Sequence, residues 1–398
     1  MSGGDRRNKK TCALILGGGM NGYNTARELN SNGVKNLILF AEKKNYACYS
    51  NIWAMTQIVP PDAEALYRAI ESLRADYDYV VTYPVSDSYL VGLYAIHSDI
   101  EDFCYIGFNP STIHRYFGKS KQYDFCKKYD IAHPRTENLE AYLSSQERKL
   151  AYPLLIKPDA WSQNALQHKV FKTLILNTEE ELNEQAAMLF ELIHKGVNLL
   201  ITEVIPGDDD AIYGYVAYRS KSGEILNEWM WRKLSQHPEG YGVFSTISNQ
   251  GTESIKELGR DVFHKMNLQG INEIEFKYDS RDSQYKYIET NFRTPMLIRL
   301  GHLTGVDVCY TQYLDALGIT PKTQAQNQDE IIHYVVFRSE LQNLAARAGY
   351  ATKFWHNIFG SDRTYFSLFD SSDMGPMIHS VVELLQAAVR NHGSKRPS

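Results

Sequence analysis

The stretch from Glu273 to Arg293 constrains this chain most. Glu273-Ile274-Glu275-Phe276-Lys277-Tyr278-Asp279 alternates in polarity, a polar break follows at Ser280 to Ser283, and Tyr285-Lys286-Tyr287-Ile288-Glu289-Thr290-Asn291-Phe292-Arg293 continues beyond it. Alternation on both sides of a Ser, Arg and Asp cluster predicts two strands joined by a short turn. In an antiparallel pair Glu275 and Glu289 can sit opposite each other, and Asn291, two residues on, shares the face of Glu289. Two carboxylates and an amide oxygen are hard ligands. They suit Mg²⁺ held partly by protein and partly by substrate phosphates. An isolated acidic hairpin is more often just a solvated face, so the rest of the chain has to decide.

With 398 residues, of which 43% are hydrophobic, the chain can build two or three domains around an ample core. A net charge of −5 gives no reason to expect nucleic-acid or membrane binding. The five cysteines (Cys12, Cys48, Cys104, Cys126 and Cys309) form no Cys-x-x-Cys, which fits a reduced, cytoplasmic interior. The polar, basic stretch Met1 to Lys10 precedes an apolar run too short for a signal peptide or a membrane span. Both ends, Met1 to Lys10 and His392 to Ser398, are expected to fray.

Thr11 to Leu16 predicts a buried strand, followed by Gly17-Gly18-Gly19-Met20-Asn21-Gly22, a helix through Leu29 and a strand over Val34 to Phe40. The glycines satisfy G-x-G-x-x-G, so a dinucleotide site with Glu42 at a ribose is one reading, and a tight turn with close helix packing is the other. A further strand, Tyr79 to Val85, ends in Ser86-Asp87. Polar groups at the carboxyl ends of parallel strands line ligand crevices, so Asp87 could contact a substrate amine; it could equally cap a helix starting at Ser88.

Lys119 precedes an amphipathic helix over about Lys121 to Tyr129. Tyr152-Pro153-Leu154-Leu155-Ile156-Lys157-Pro158 reads as a buried strand delivering one lysine at its exit, a costly placement unless the ammonium meets an anion; a surface lysine that snorkels its head into water is the other reading. His168 to Leu176 reads as its antiparallel return, and Thr178-Glu179-Glu180-Glu181 as a capping box opening a helix. Val197 to Val204 is another strand, breaking at Pro206-Gly207 before Asp208-Asp209-Asp210. The break exposes backbone groups that an adenine edge can pair with, and an acidic residue just beyond can take ribose hydroxyls.

In this order the pieces resemble the ATP-grasp superfamily over most of the chain: a Gly-rich first domain, Lys119, Ile156-Lys157-Pro158, Glu203 with Pro206-Gly207-Asp208-Asp209, then Glu275 and Glu289-Thr290-Asn291-Phe292-Arg293. Arg232 to Pro238 with Gly242-Val243, and Phe369 to Pro376, are similar to segments of ATP-dependent carboxylate–amine ligases of the D-aspartate ligase-like group. The resemblance implies an α/β chain, an ATP-grasp fold with an N-terminal Rossmann-like (pre-ATP-grasp) domain. The parts would be 1–114 (Rossmann-like), 115–205 (small, lid), 206–328 (large, with the metal site) and 329–398, a cap packed on the ATP-grasp domain.

The resemblance also implies roles. Lys119 and Lys157 would hold the α- and β-phosphates of ATP, backbone around Glu203, Val204 and Ile205 the adenine, and Asp209 the ribose. Glu275, Glu289 and Asn291 would hold two Mg²⁺ ions, and Arg293 would meet the γ-phosphate or an acyl phosphate. Arg232, Lys233 and His237 are candidates for the substrate carboxylate. Two departures stand out. The loop Asp159 to Gln167 has no glycine, leaving side chains such as Ser162 and Asn164 to cover the phosphates. The common Asn-Pro-Arg is Asn291-Phe292-Arg293 here. The implied activity is an ADP-forming ligase that joins a small-molecule carboxylate to an amine, in a possible homodimer. The alternatives are an ATP-grasp protein with a non-amine acceptor, a nucleotide-binding regulator without turnover, or a nicotinamide oxidoreductase using the first Gly-rich turn.

Overall fold

In a computed structural model, residues 9–159 and 170–393 are described. Three sheets organise them. The first is parallel, in the order β3-β2-β1-β4-β5, built from β1 (Thr11–Leu16), β2 (Leu37–Ala41), β3 (Met55–Ile58), β4 (Tyr79–Pro84) and β5 (Cys104–Tyr105). β1 and β2 are buried along their whole length, which is why their apolar residues run consecutively instead of alternating. The strand order reverses between β1 and β4, whose carboxyl ends are in register at Leu16 and Pro84. The crevice of such a sheet opens at that point, so Gly17 to Gly19 and Val85 to Asp87 share one mouth.

The second sheet is antiparallel, in the order β6-β9-β7-β8, from β6 (Thr136–Asn138), β7 (Leu154–Pro158), β8 (Leu174–Leu176) and β9 (Leu199–Glu203). It has its own core of Leu139, Tyr142, Leu154, Ile156, Leu182 and Leu189, separate from the rest. Thr178 caps the helix Glu179–His194 by accepting from Glu181 N at 3.3 Å, while Asn177 N donates to Glu181 Oε2 at 2.7 Å. The expectations for the return strand before Val170, and for phosphate cover by Ser162 and Asn164, lie outside the described residues.

The third sheet has the order β14-β13-β10-β11-β12-β15-β16. Its strands are β10 (Ile212–Arg219), β11 (Ile225–His237), β12 (Val243–Ser248), β13 (Gly270–Asp279), β14 (Gln284–Asn291), β15 (Ile332–Val335) and β16 (Arg363–Phe366). All neighbours are antiparallel except β15 and β16. The carboxy-terminal stretch, expected as a cap on this body, therefore supplies two of its strands. One continuous core joins Ala13 and Ile15 of the first sheet to Trp229, Trp231 and Tyr334 of the third. Among the described residues no helix is long and apolar enough to cross a membrane.

Candidate active site

The register of β13 on β14 places Glu275 opposite Glu289 and Glu273 opposite Asn291. Directly opposed residues share a face, so three carboxylates and one amide line one patch. The pairing slips between Glu275 and Phe276, because Phe276 pairs with Tyr287 and Ile288 is left as an extra residue. Such a bulge re-aims the neighbouring side chain, here Glu289. It is pinned from outside, since Tyr287 N donates to Ala132 O at 2.8 Å and Tyr123 OH to Ile288 O at 3.1 Å.

Cations converge on this patch from a helix start and from the second and third sheets. Lys119, the first residue of the helix Lys119–Lys128, pairs with Glu289. Its helix start is fixed to the exit of β7, where Lys119 N donates to Asp159 O at 3.1 Å and Ser120 N to Asp159 Oδ1 at 2.7 Å. Lys157 of β7 donates to Tyr123 OH at 3.0 Å. Lys233 of β11 is buried, 3.8 Å from Glu275 Oε2. Arg293, just past β14, donates from Nε to Asp87 Oδ1 at 2.7 Å. Asp87 is free for this because Ser86, not Asp87, caps the helix Asp87–Ile100.

The electrostatics follow from crowding charges in a half-buried cleft. Lys119 is the largest influence holding the Glu289 carboxyl down at about 2. Burial works against the Lys119 ammonium, but Glu289 outweighs it and keeps it above the ordinary lysine range. Lys157 lacks such a partner, so burial first and Lys119 second push it down to about 7. Burial, then the neighbouring Glu275, push the Glu273 carboxyl up to about 8. Glu275 is also raised by burial, with Lys233 opposing. Lys172, which follows the second segment's start, is lowered by burial and feels Glu289, Lys233 and Glu275.

Glu273 and Lys172 are the site residues that sequence reasoning missed. The period of two that aligned Glu275 also put Glu273 on the same face. Lys172 lies within the stretch read as the return strand, and nothing local marks it.

Other candidates have different neighbours. Tyr213 pairs with both Arg232 and Phe276, whereas Gly214 pairs with Trp231 and Glu275. Arg232 therefore lies on the opposite face from Glu275, and its guanidinium is held by Asp210 O at 2.8 Å and Asp210 Oδ2 at 3.1 Å. His237 is in hydrogen-bond contact with Asn343 Oδ1 at 2.9 Å. Asp209, expected at a ribose, is buried and accepts from Gln236 Nε2 at 2.8 Å and Arg347 Nη1 at 3.1 Å. In the stretch around Glu203, Glu203 N donates to Arg135 O and Val204 N to Pro153 O, each at 3.0 Å. Among the described residues, Ile205 N is the one of the three that makes no backbone hydrogen bond. At the Gly-rich turn the Asn45 side chain lies against the helix start: Gly19 N donates to Asn45 Oδ1 at 3.0 Å, and a Cβ at Gly18 would overlap Asn45.

Among the described residues no three acidic, imidazole or thiol groups converge closely enough to hold an ion as they stand. Lys119 occupies Glu289, and Lys233 lies against Glu275. The donor set nevertheless fits Mg²⁺. Glu273 Oε1 is buried without a hydrogen-bond partner among the described residues, and burial, with a neighbouring carboxylate adding in each case, disfavours the charged forms of Glu273 and Glu275, a penalty that a bound divalent cation would offset. Carboxylates ringed by lysines and an arginine suit a polyanion carried with a divalent cation. Among the described residues the same patch presents no Ser-His or Cys-His nucleophile.

A parallel crevice sheet, a small antiparallel sheet and a large antiparallel sheet with this acidic edge make up the ATP-grasp fold, as solved structures bear out. An N5-carboxyaminoimidazole ribonucleotide synthetase in its ADP complex matches with a TM-score of 0.64 at 13% identity, over 84% of this chain and 85% of that one. Biotin carboxylase from Campylobacter jejuni matches with a TM-score of 0.61 at 13% identity, over 80% and 74%. Phosphoribosylglycinamide synthetase from Anaerococcus prevotii matches with a TM-score of 0.59 at 16% identity, over 81% and 79%. In sequence, the chain is similar to a D-aspartate ligase of Enterococcus faecium (strain Aus0004), 26% identical over 196 residues, which is 46% of this chain and 45% of that ligase. The match thus spans a little under half the length of the ligase. No protein-family profile matches the chain.

Proposed function

We propose that this protein is an ATP-dependent ligase that activates a small carboxylate as an acyl phosphate and joins it to an amine, releasing ADP and phosphate. The observation that carries the reading is the opposition of Glu275 and Glu289 across β13 and β14, within a ring formed by Lys119, Lys157, Lys233 and Arg293. The likeness to a D-aspartate ligase supports an acid and an amine as the reactants.

A carboxylate is a poor acyl donor because its leaving group would be oxide. Phosphoryl transfer to it creates a good leaving group and asks the protein mainly for alignment and charge neutralisation. In this reading Ile205 N orients the adenine, and Lys119 and Lys157 hold the α- and β-phosphates. Arg293 neutralises the transferred phosphoryl group. Glu275, Glu289 and Asn291 would hold the magnesium ions, with Glu273 behind Asn291. When bound, Mg²⁺ offsets the charge on the phosphate oxygens. Lys233 lies on the carboxylate face and remains a candidate contact for the anionic substrate, whereas Arg232 lies on the other face and His237 is engaged by Asn343.

The test is Glu289→Gln, with ADP release followed in ATP, Mg²⁺, pooled acids and hydroxylamine as a surrogate amine. Loss of a charged ligand predicts a fall in kcat/KM of about a hundredfold or more. Near-normal turnover would reject the assignment.

A further inference from the structure

Asp87 and Arg293 come from different sheets and meet at the mouth of the cleft, with Arg293 Nε donating to Asp87 Oδ1 at 2.7 Å. Among the described residues, Arg293 makes no other side-chain hydrogen bond, and Asp87 Oδ2 accepts none. The pair is not sealed off: 20% of the Arg293 side chain and 42% of the Asp87 side chain remain accessible. A planar edge with its Nη donors unengaged therefore lies beside an unengaged carboxylate oxygen. Arg293 also feels Glu273 and Glu289, and Lys119 feels Asp87, so the pair borders the acidic patch itself.

The sign of Asp87 is the informative part. Beyond holding Arg293, the accessible oxygen of this aspartate repels phosphates and a plain carboxylate, because like charges oppose each other there. A ligand that brings a positive group beside its carboxylate turns that repulsion into attraction.

We propose that Asp87 is a specificity residue that binds the ammonium group of the acid being activated, while the carboxylate of that acid takes the open edge of Arg293. The substrate class is then an amino acid whose ammonium lies one or two carbons from a carboxylate. Simple acids and long ω-amino acids are disfavoured. The inference rests on the ligase reading and narrows its first substrate.

Hydroxylamine as acceptor isolates the acid, because the natural amine is then absent. Hydroxamate and ADP formation are measured for aspartate against succinate and for alanine against propionate, in the full chain and in Asp87→Asn. Wild type is expected to favour the amino acid in each pair. The ratio of kcat/KM values, amino acid over its partner, should fall about tenfold or more in Asp87→Asn, because an ammonium then loses its charged partner. An equal fall for both members of each pair would show that Asp87 only holds Arg293 in place and would overturn the proposal. An unchanged ratio would overturn it too. Asp87→Ser, which keeps a side chain favoured near helix starts, provides the same ratio should Asp87→Asn not fold. If wild type yields neither hydroxamate nor ADP from any acid, the ligase reading itself fails. If it takes succinate as readily as aspartate, only the assignment of Asp87 fails.

Discussion

Asn291 Nδ2 donates to Glu273 Oε2 at 3.0 Å across the β13–β14 ladder. With the amide nitrogen as donor, this bond sets which way the amide points. The oxygen of Asn291 is turned away from Glu273. Glu273→Ala releases the amide. In the proposed role of Asn291 as a magnesium ligand, losing such a support weakens metal binding by about ten- to a hundredfold. The Mg²⁺ concentration for half-maximal ADP release should rise by that order, and calorimetric Mn²⁺ binding should weaken in parallel. An unchanged metal requirement would show that Asn291 needs no such support.

Lys157 gives the pH dependence a definite sign. Its ammonium is pushed from an ordinary 10.5 to about 7 by burial, with Lys119 adding to the shift. The free protein at pH 8 therefore holds it mostly neutral, and bound phosphates draw a proton back onto it. Nucleotide binding should take up as much as one proton at about pH 8 and almost none below about pH 6, where Lys157 is already charged. Calorimetry in buffers of different ionisation enthalpy reads this directly. Lys157→Met should abolish the uptake, and a buffer-independent enthalpy in wild type would refute it.

Much of the site could be read from sequence wherever a period of two operates locally. Glu275, Glu289 and Asn291 share one face because the hairpin is short and its turn sits between two alternating runs. β1 and β4 were legible as unbroken apolar runs, since a parallel sheet buries both faces. Arg232 and Asp209 were not legible, for a different reason. The face of Arg232 depends on the register of β11 against β10, and β11 carries two register slips where it meets β12. Asp209 is one of three consecutive aspartates, and its buried partner Arg347 lies 138 residues away. β15 and β16 pair in parallel at the sheet edge, a long-range choice that no local pattern encodes.

Gly214 connects packing to the acidic face. It pairs with Glu275 on one side and Trp231 on the other, and a Cβ there would overlap the Trp231 indole. Lys233 Nζ lies 6.0 Å from the centre of that ring, so displacing the indole disturbs the lysine facing Glu275. Gly214→Ala should cost about 1–3 kcal/mol through overpacking. Thermal unfolding reads the loss, and the KM for ATP should rise with it. A variant as stable as wild type would mean that the indole has room to move.

Asp209 separates a structural role from the ribose role expected of it. Its carboxylate accepts from Gln236 N at 3.2 Å, Gln236 Nε2 at 2.8 Å and Arg347 Nη1 at 3.1 Å, and the side chain is only 5% accessible. Asp209→Ala leaves the Arg347 guanidinium, 15% accessible, with the exposed Glu239 and the Tyr350 ring beside it but without its buried carboxylate. Breaking one side of a buried pair costs up to about 3–5 kcal/mol, and the partial access of Arg347 places the expected loss at the lower end. The KM for ATP should change by no more than about twofold, since no ground-state contact with the nucleotide is lost. Arg347→Met should destabilise comparably. The double variant should lose less than the sum of the two, because each single change already breaks the same interaction. Chemical denaturation and ATP titration of the three variants decide the matter: a large rise in KM with undiminished stability would return Asp209 to the ribose.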